Sequence, residues 1–179
     1  MHAAKDDSFD LRLTPSERVA AAFWEHRQRA LLQLLRRDVG DGFHNHGGLS
    51  DFQRALLLDA SQRESRLLAE MHRLESAQCE YVLSLLGDVR SSDRILDAGS
   101  GRGGTSLAAY QRFGCLVDGV DIAAYQVSVA KKNAADSGCT QRVRFHQRSL
   151  TRTGFSSQQF DRVVLNEASM YVDLDEAFA

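Results

Sequence analysis

The stretch Arg94-Ile95-Leu96-Asp97-Ala98-Gly99-Ser100-Gly101-Arg102-Gly103-Gly104 decides how this chain is read. A short apolar run passes into an acidic residue and then into a turn with four glycines. Asp121 follows about twenty residues later, at the end of a second apolar run. Glycines at a strand-to-helix turn let backbone approach a ligand closely, and an acidic side chain on the next strand can accept both hydroxyls of a ribose. The pair predicts an adenosine-containing cofactor.

Gly99, Gly101 and Gly104 also fit the dinucleotide fingerprint, so a nicotinamide-dependent oxidoreductase is one reading. Asp97 weighs against it. It stands two residues before the first glycine, where a dinucleotide site carries a small or apolar residue facing the pyrophosphate. A carboxylate there repels phosphate but can hold the ammonium of an amino-acid cofactor, directly or through water. Asp97, the glycine turn and Asp121 together resemble the class I S-adenosylmethionine-dependent methyltransferases.

From Arg94 onward short apolar strands alternate with helical stretches. Strands are predicted near 94–98, 116–121, 142–147 and 160–166, and helices near 104–112 and 124–137. This alternation argues for a parallel, doubly wound α/β sheet, Rossmann-like in class. Before it lies a helical front. Thr14, Pro15 and Glu17 supply a cap, a first-turn proline and a capping-box glutamate for a helix running to about Arg37. Gly40, Gly42, Gly47 and Gly48 bracket a loop over residues 41–50. Leu67, Met71, Leu74, Tyr81, Val82 and Leu85 recur at helical spacing, which predicts a long helix from about Ser61 to Leu86. Residues 1–90 therefore read as a helical substrate region and 91–179 as the cofactor-binding domain. Four strands are visible where the methyltransferase fold has seven. The chain is expected to be a fragment, or to be completed by another segment, because Phe160, Val163, Val164 and Leu165 would otherwise form an uncovered apolar edge.

Composition fits a soluble globular domain: 179 residues, 43% hydrophobic and 26% charged. A net charge of -2 supplies no broad footprint for nucleic acid. Cys79, Cys115 and Cys139 lack metal-ligand spacing and read as buried reduced thiols of a cytoplasmic protein. No apolar run is long enough for a membrane span and no secretory signal opens the chain.

Four blocks narrow the resemblance: Asp41-Gly42-Phe43-His44-Asn45-His46, Glu70 through Gln78, Asp97 through Gly104, and Asn166-Glu167-Ala168-Ser169-Met170-Tyr171-Val172-Asp173-Leu174. In this order they resemble the geranyl diphosphate C-methyltransferases, relatives of the sterol and cyclopropane-fatty-acid methyltransferases. The resemblance implies methylation of a carbon of a prenyl diphosphate through a tertiary carbocation, followed by loss of a proton.

It implies Glu167 as general base, with Tyr171 and Phe43 orienting it or lining the pocket. Cofactor contacts are expected from Asp97, Gly99, Ser100, Gly101, Gly103, Asp121, Ile122, Gln126, Ser149, Asn166 and Gln78. Ser149 stands where many methyltransferases place an aspartate on the adenine amino group, so Arg148 or backbone is expected to substitute. His44, Asn45, His46, His72 and Glu75 are candidates for the diphosphate, and Asn45 and Glu75 for a magnesium ion, directly or through water. Association into a homo-oligomer is also implied. A sterol or other small-molecule methyltransferase shares the cofactor elements but not the diphosphate site. A non-catalytic binding module is a further alternative. A nucleic-acid base methyltransferase is disfavoured, because Asn166-Glu167-Ala168-Ser169 differs from the Asn/Asp-Pro-Pro-aromatic motif of the amino-methylating enzymes.

Overall fold

A computed structural model of the chain describes residues 13–23, 25 and 60–177. Residues 15–23 form helix α1, and its start is a reciprocal capping box. The Glu17 backbone N–H donates to Thr14 Oγ1 at 3.3 Å, and the Thr14 N–H donates to Glu17 Oε2 at 2.8 Å. The rest of the helix expected up to Arg37 and the loop over 41–50, with Phe43, His44, Asn45 and His46, lie outside the described residues.

Helix α2 spans Ala60–Ser84. Its buried stripe is Glu75, Cys79 and Leu83, one side chain per turn at i,i+4 spacing. Tyr81 and Leu85, expected on the apolar face, are instead exposed. The small thiol of Cys79 and the side chain of Leu83 face the core, and this turns Tyr81 outward.

The α/β unit alternates β1 (Arg94–Ala98), α3 (Gly104–Phe113), β2 (Leu116–Asp121), α4 (Ala124–Asp136), β3 (Val143–Gln147) and β4 (Arg162–Val164). The strands are parallel in the order β3-β2-β1-β4. Register pairs Ala98 with Val120, Asp121 with Gln147 and Asp97 with Val164, so the carboxyl ends of all four strands come level along one rim. Helix α3 packs on β2 and α2, and α4 on β3 and β2. Between them lies a core that includes Ile95, Val117, Val127, Ala130, Val143 and Phe145. Cys79, Cys115 and Cys139 are buried free thiols in that core.

Strand β4 is shorter than the 160–166 expected from hydropathy. Phe160 leaves the strand to meet Phe155 edge-on at 4.9 Å, and Phe155 meets His146 edge-on at 5.4 Å. These rings lie near a buried acid on β2. Asp118 accepts from Arg94 Nη2 at 2.6 Å and pairs with His146 Nε2 at 2.8 Å. Burial alone would raise the Asp118 pKa, but the hydrogen bonds from His146 and Arg94 outweigh it and hold the carboxyl below its ordinary range. Strand β4 bonds only to β1 among the described strands, and Val163 on it is half exposed while Val164 is buried. A one-turn 3-10 helix (Ser169–Tyr171) and helix α5 (Leu174–Ala177) follow.

Candidate functional site

The carboxyl rim of an open α/β sheet is where ligands bind, because the loops after adjacent strands diverge there and leave a crevice. Here the rim opens into a cavity of about 960 Å³, measured with its open mouth. The glycine turn forms its floor with Gly99, Ser100, Gly101 and Arg102; Asp121, Ile122 and Gln126 come from the end of β2 and the start of α4. Ser149 lies beyond β3, and Asn166, Glu167 and Tyr171 beyond β4. Residues predicted from sequence separations of up to 72 positions thus meet around one hollow.

Backbone geometry explains why the turn is glycine. Gly99 has φ +79°, and a Cβ built on it would lie 2.3 Å from the Cβ of Ala168, so the loop after β4 rests directly on the turn. Gly103 caps α3 in the left-handed region at φ 88°. The turn is anchored across the sheet: Gly99 and Ser100 N–H both donate to Val120 O, at 2.9 and 2.8 Å.

Asp121 stitches this turn to the next loop. Oδ2 accepts the Gly101 N–H at 2.9 Å and Oδ1 the Ala123 N–H at 2.8 Å. A carboxylate offers about four lone-pair sites, so each oxygen keeps acceptor capacity toward the cavity. Burial pushes the Asp121 pKa up to about 6 against the pull of those backbone donors. Asp97 does not line the cavity. It is 2% exposed, turned under α3, where Ser106 Oγ donates to Oδ2 at 2.6 Å. Burial, with the neighbouring Asp121 charge, raises it to about 6 despite the Ser106 hydrogen bond.

Two buried polar atoms on the cavity wall, Ser100 Oγ and Gln126 Oε1, have no hydrogen-bond partner among the described residues. Buried polar groups are normally satisfied, so a wall that carries an open hydroxyl and an open amide carbonyl is built for a polar ligand.

At the β4 end, Glu167 takes φ +59°, which is uncommon for a residue with a side chain. Its Oε1 accepts from Gln78 Nε2 at 2.9 Å, and the same amide nitrogen reaches Asn166 Oδ1 at 3.4 Å. Gln78 therefore ties the helical front to the loop after β4 rather than lining the cavity itself. Glu75 lies deeper on the same helix, 4% exposed, with Oε1 unpartnered among the described residues. Burial pushes its pKa up to about 8, while the positive charge of Arg102 pulls the other way. His72 is half buried, and neither residue lines the cavity. No group of three or more His, Cys, Asp or Glu able to hold a metal occurs among the described residues. No helix among them is long and apolar enough to cross a membrane.

Sequence reasoning missed Glu17, Ala20, Arg102 and Thr105, all of which line the cavity. Glu17 was visible only as a helix cap, and Arg102 only as a spacer between glycines. The Oε1 oxygen of Glu17 accepts hydrogen bonds from Ser149 Oγ and from Thr151 Oγ1, the latter at 3.2 Å.

Comparison with known proteins agrees with this architecture. Residues 95–179 match the model of a methyltransferase domain family. The chain is 39% identical over 168 residues to a geranyl diphosphate 2-C-methyltransferase of Streptomyces lasalocidi, covering 93% of this chain and 56% of the relative. It is 38% identical over 160 residues to that of Saccharopolyspora erythraea, covering 89% of this chain and 56% of the relative. Among solved structures, the geranyl diphosphate C-methyltransferase of Streptomyces coelicolor, in complex with magnesium, geranyl-S-thiolodiphosphate and S-adenosyl-L-homocysteine, superposes with a TM-score of 0.79 at 35% identity. That match covers 92% of this chain and 60% of the other. The chain thus spans a little over half the length of the curated relatives it matches. By fold, a Rossmann-like methyltransferase sheet, and by sequence, this chain is a homologue of the geranyl diphosphate 2-C-methyltransferases over the part of them that it spans.

Proposed function

We propose that the cavity binds S-adenosylmethionine and that the protein methylates a carbon of a prenyl diphosphate, geranyl diphosphate foremost. The observation that carries the cofactor is the cavity wall itself: a glycine turn stitched to Asp121, beside the unpartnered Ser100 Oγ and Gln126 Oε1. Those donors and acceptors suit a nucleoside bearing hydroxyls and an amino acid. The substrate reading rests on the relatives, whose sequences match this chain through its helical front as well as its sheet.

S-adenosylmethionine, when bound, supplies an electrophilic methyl group. The chain's own residues do the rest. The turn over Gly99–Gly101 and Asp121 hold the nucleoside so that the methyl faces the β4 end, and such positioning contributes roughly 7 to 11 kcal/mol to a reaction of this order. With the methyl so placed, the substrate double bond would bond to its carbon as the carbon–sulfur bond breaks and the sulfur keeps that electron pair, which would leave a tertiary cation on the prenyl chain. Aromatic faces each stabilise such a cation by roughly 0.5 to 2 kcal/mol, and Tyr171 is the described ring that lines the cavity. Glu167, steadied by Gln78, accepts the proton whose loss restores the alkene. Magnesium accompanies the diphosphate analogue in the Streptomyces coelicolor structure. Glu75, buried beside Arg102, does not by itself make a site for that ion, and no metal-holding cluster occurs among the described residues.

The test is Glu167→Gln. Turnover of geranyl diphosphate, followed by mass spectrometry of the product, is expected to fall at least 100-fold while S-adenosylhomocysteine binding by calorimetry changes less than threefold. Unchanged turnover would remove Glu167 from the mechanism.

A further inference from the structure

This inference rests on the cofactor reading above and adds a residue and a selectivity to it. The strand order β3-β2-β1-β4 lays four loops side by side along the cavity. Ser149 follows β3, Asp121 ends β2, the glycine turn follows β1, and Asn166-Glu167 follows β4. A nucleoside whose ribose meets Asp121 and whose 5′ substituent points to Glu167 must turn its base toward the β3 end.

The wall at that end is made by two elements. The sheet supplies Ser149, which is uncharged, and α1 supplies Glu17, which is 6% exposed and lines the cavity together with Ala20 on the same helix face. Ser149 Oγ donates to Glu17 Oε1, Thr151 Oγ1 donates to the same oxygen at 3.2 Å, and Oε2 accepts the Thr14 N–H at 2.8 Å. These contacts, with the Thr14 hydroxyl beside them, fix the carboxylate on the cavity wall, where it can accept from a donor that enters. Burial would raise the Glu17 pKa, but the hydrogen bonds from Ser149, Thr14 and Thr151 together lower it, so the group is an anion at neutral pH. An anionic carboxylate only accepts. It can take a hydrogen from a 6-amino group, whereas a 6-oxo group would place oxygen against oxygen.

We propose that Glu17, reaching the β3 end of the cavity from helix α1, selects a 6-aminopurine base, so that seating the base and docking α1 on the sheet are one linked event. Linkage makes the effect reciprocal: a base that bonds Glu17 holds α1 down, and a base that repels it does not.

Calorimetry with S-adenosylhomocysteine and its 6-oxo analogue S-inosylhomocysteine tests this. The unaltered protein is expected to prefer the adenosine compound by roughly 10- to 100-fold, the range for a buried acceptor left facing the wrong group. Glu17→Gln keeps the size and the helix cap but presents an amide that both accepts and donates, and the preference should shrink to within about threefold. Thr14→Ala removes the cap partner and leaves the carboxylate, so the preference should persist. The adenosine compound, and not the inosine one, should slow tryptic cleavage at Arg18 in α1. Equal affinity of the unaltered protein for both compounds, or an undiminished preference in Glu17→Gln, overturns the assignment and leaves the cofactor site standing. Binding of neither compound overturns the cofactor reading, and this one with it.

Discussion

Asp97 is the last residue but one of β1 and Asp121 the last of β2, and burial lifts both to about 6. Asp121 has a use for its charge, since it grips two backbone N–H groups and faces the cavity. Asp97 is bonded by Ser106 but is buried beside the Asp121 charge, so in the absence of ligand its ionisation is a net cost to the fold. The folded pKa lies above the unfolded value of 3.8, so the cost is absent below that value and grows as pH rises through 6. A shift of this size corresponds to roughly 3 kcal/mol as an upper bound. Asp97→Asn keeps an acceptor for Ser106 and removes the charge. It is expected to raise the thermal midpoint by several degrees at pH 8 and by about half as much at pH 5, read by circular dichroism. Equal shifts at both pH values would show that the Asp97 charge is not what the fold resists.

At the scale of elements, the glycine turn and the loop after β4 act as one unit, because Ala168 occupies the space a side chain at Gly99 would need. Gly87 offers an internal comparison: its φ is +70°, and an added Cβ would meet nothing within 4 Å. Gly87→Ala is expected to cost only the left-handed backbone penalty, about 1 to 2 kcal/mol. Gly99→Ala adds a methyl overlap and should cost about 1 to 3 kcal/mol more. Urea denaturation of the two variants checks the difference, and equal costs would mean that the loop does not rest on the turn. Because the displaced loop carries Glu167, Gly99→Ala should also lower turnover, whereas Gly87→Ala should not.

Over the whole molecule, acids sort by what surrounds them. Glu17 and Asp118 are held low by hydrogen bonds, and the stability they contribute is present above their ordinary range and lost as pH falls through it. Asp97, Asp121 and Glu75 are pushed up by burial, to about 6, 6 and 8, and stability falls as pH rises through those values. Between pH 5 and 8 only the second group is titrating, so the unliganded protein should be most stable near pH 5. The thermal midpoint is expected to decline steadily from pH 5 to 8. A midpoint that rises over this window would show that the buried acids are relieved by contacts outside the described residues.

Much of this was legible in the sequence where local chemistry suffices. β1 and β2 begin and end at the residues their hydropathy predicts, because a short apolar run bounded by polar residues and glycine has one comfortable place in a buried parallel sheet. The Thr14–Glu17 cap was legible for the same reason, its partners being three residues apart. Asp121, Ser149 and Asn166 could be named as candidates from their places after strands, since strand order carries them to one rim. Contacts between distant segments were not legible. Phe160 leaves β4 for Phe155, Tyr81 faces outward because Cys79 and Leu83 face in, and Glu17 meets Ser149 across 132 positions. The sequence by itself determined which elements form and at which end of the sheet the cavity opens, because propensity, capping and glycine turns act over a few residues. Only the tertiary structure decided that a capping glutamate also lines the cavity, because which of its oxygens finds a second partner depends on how α1 lies across the sheet.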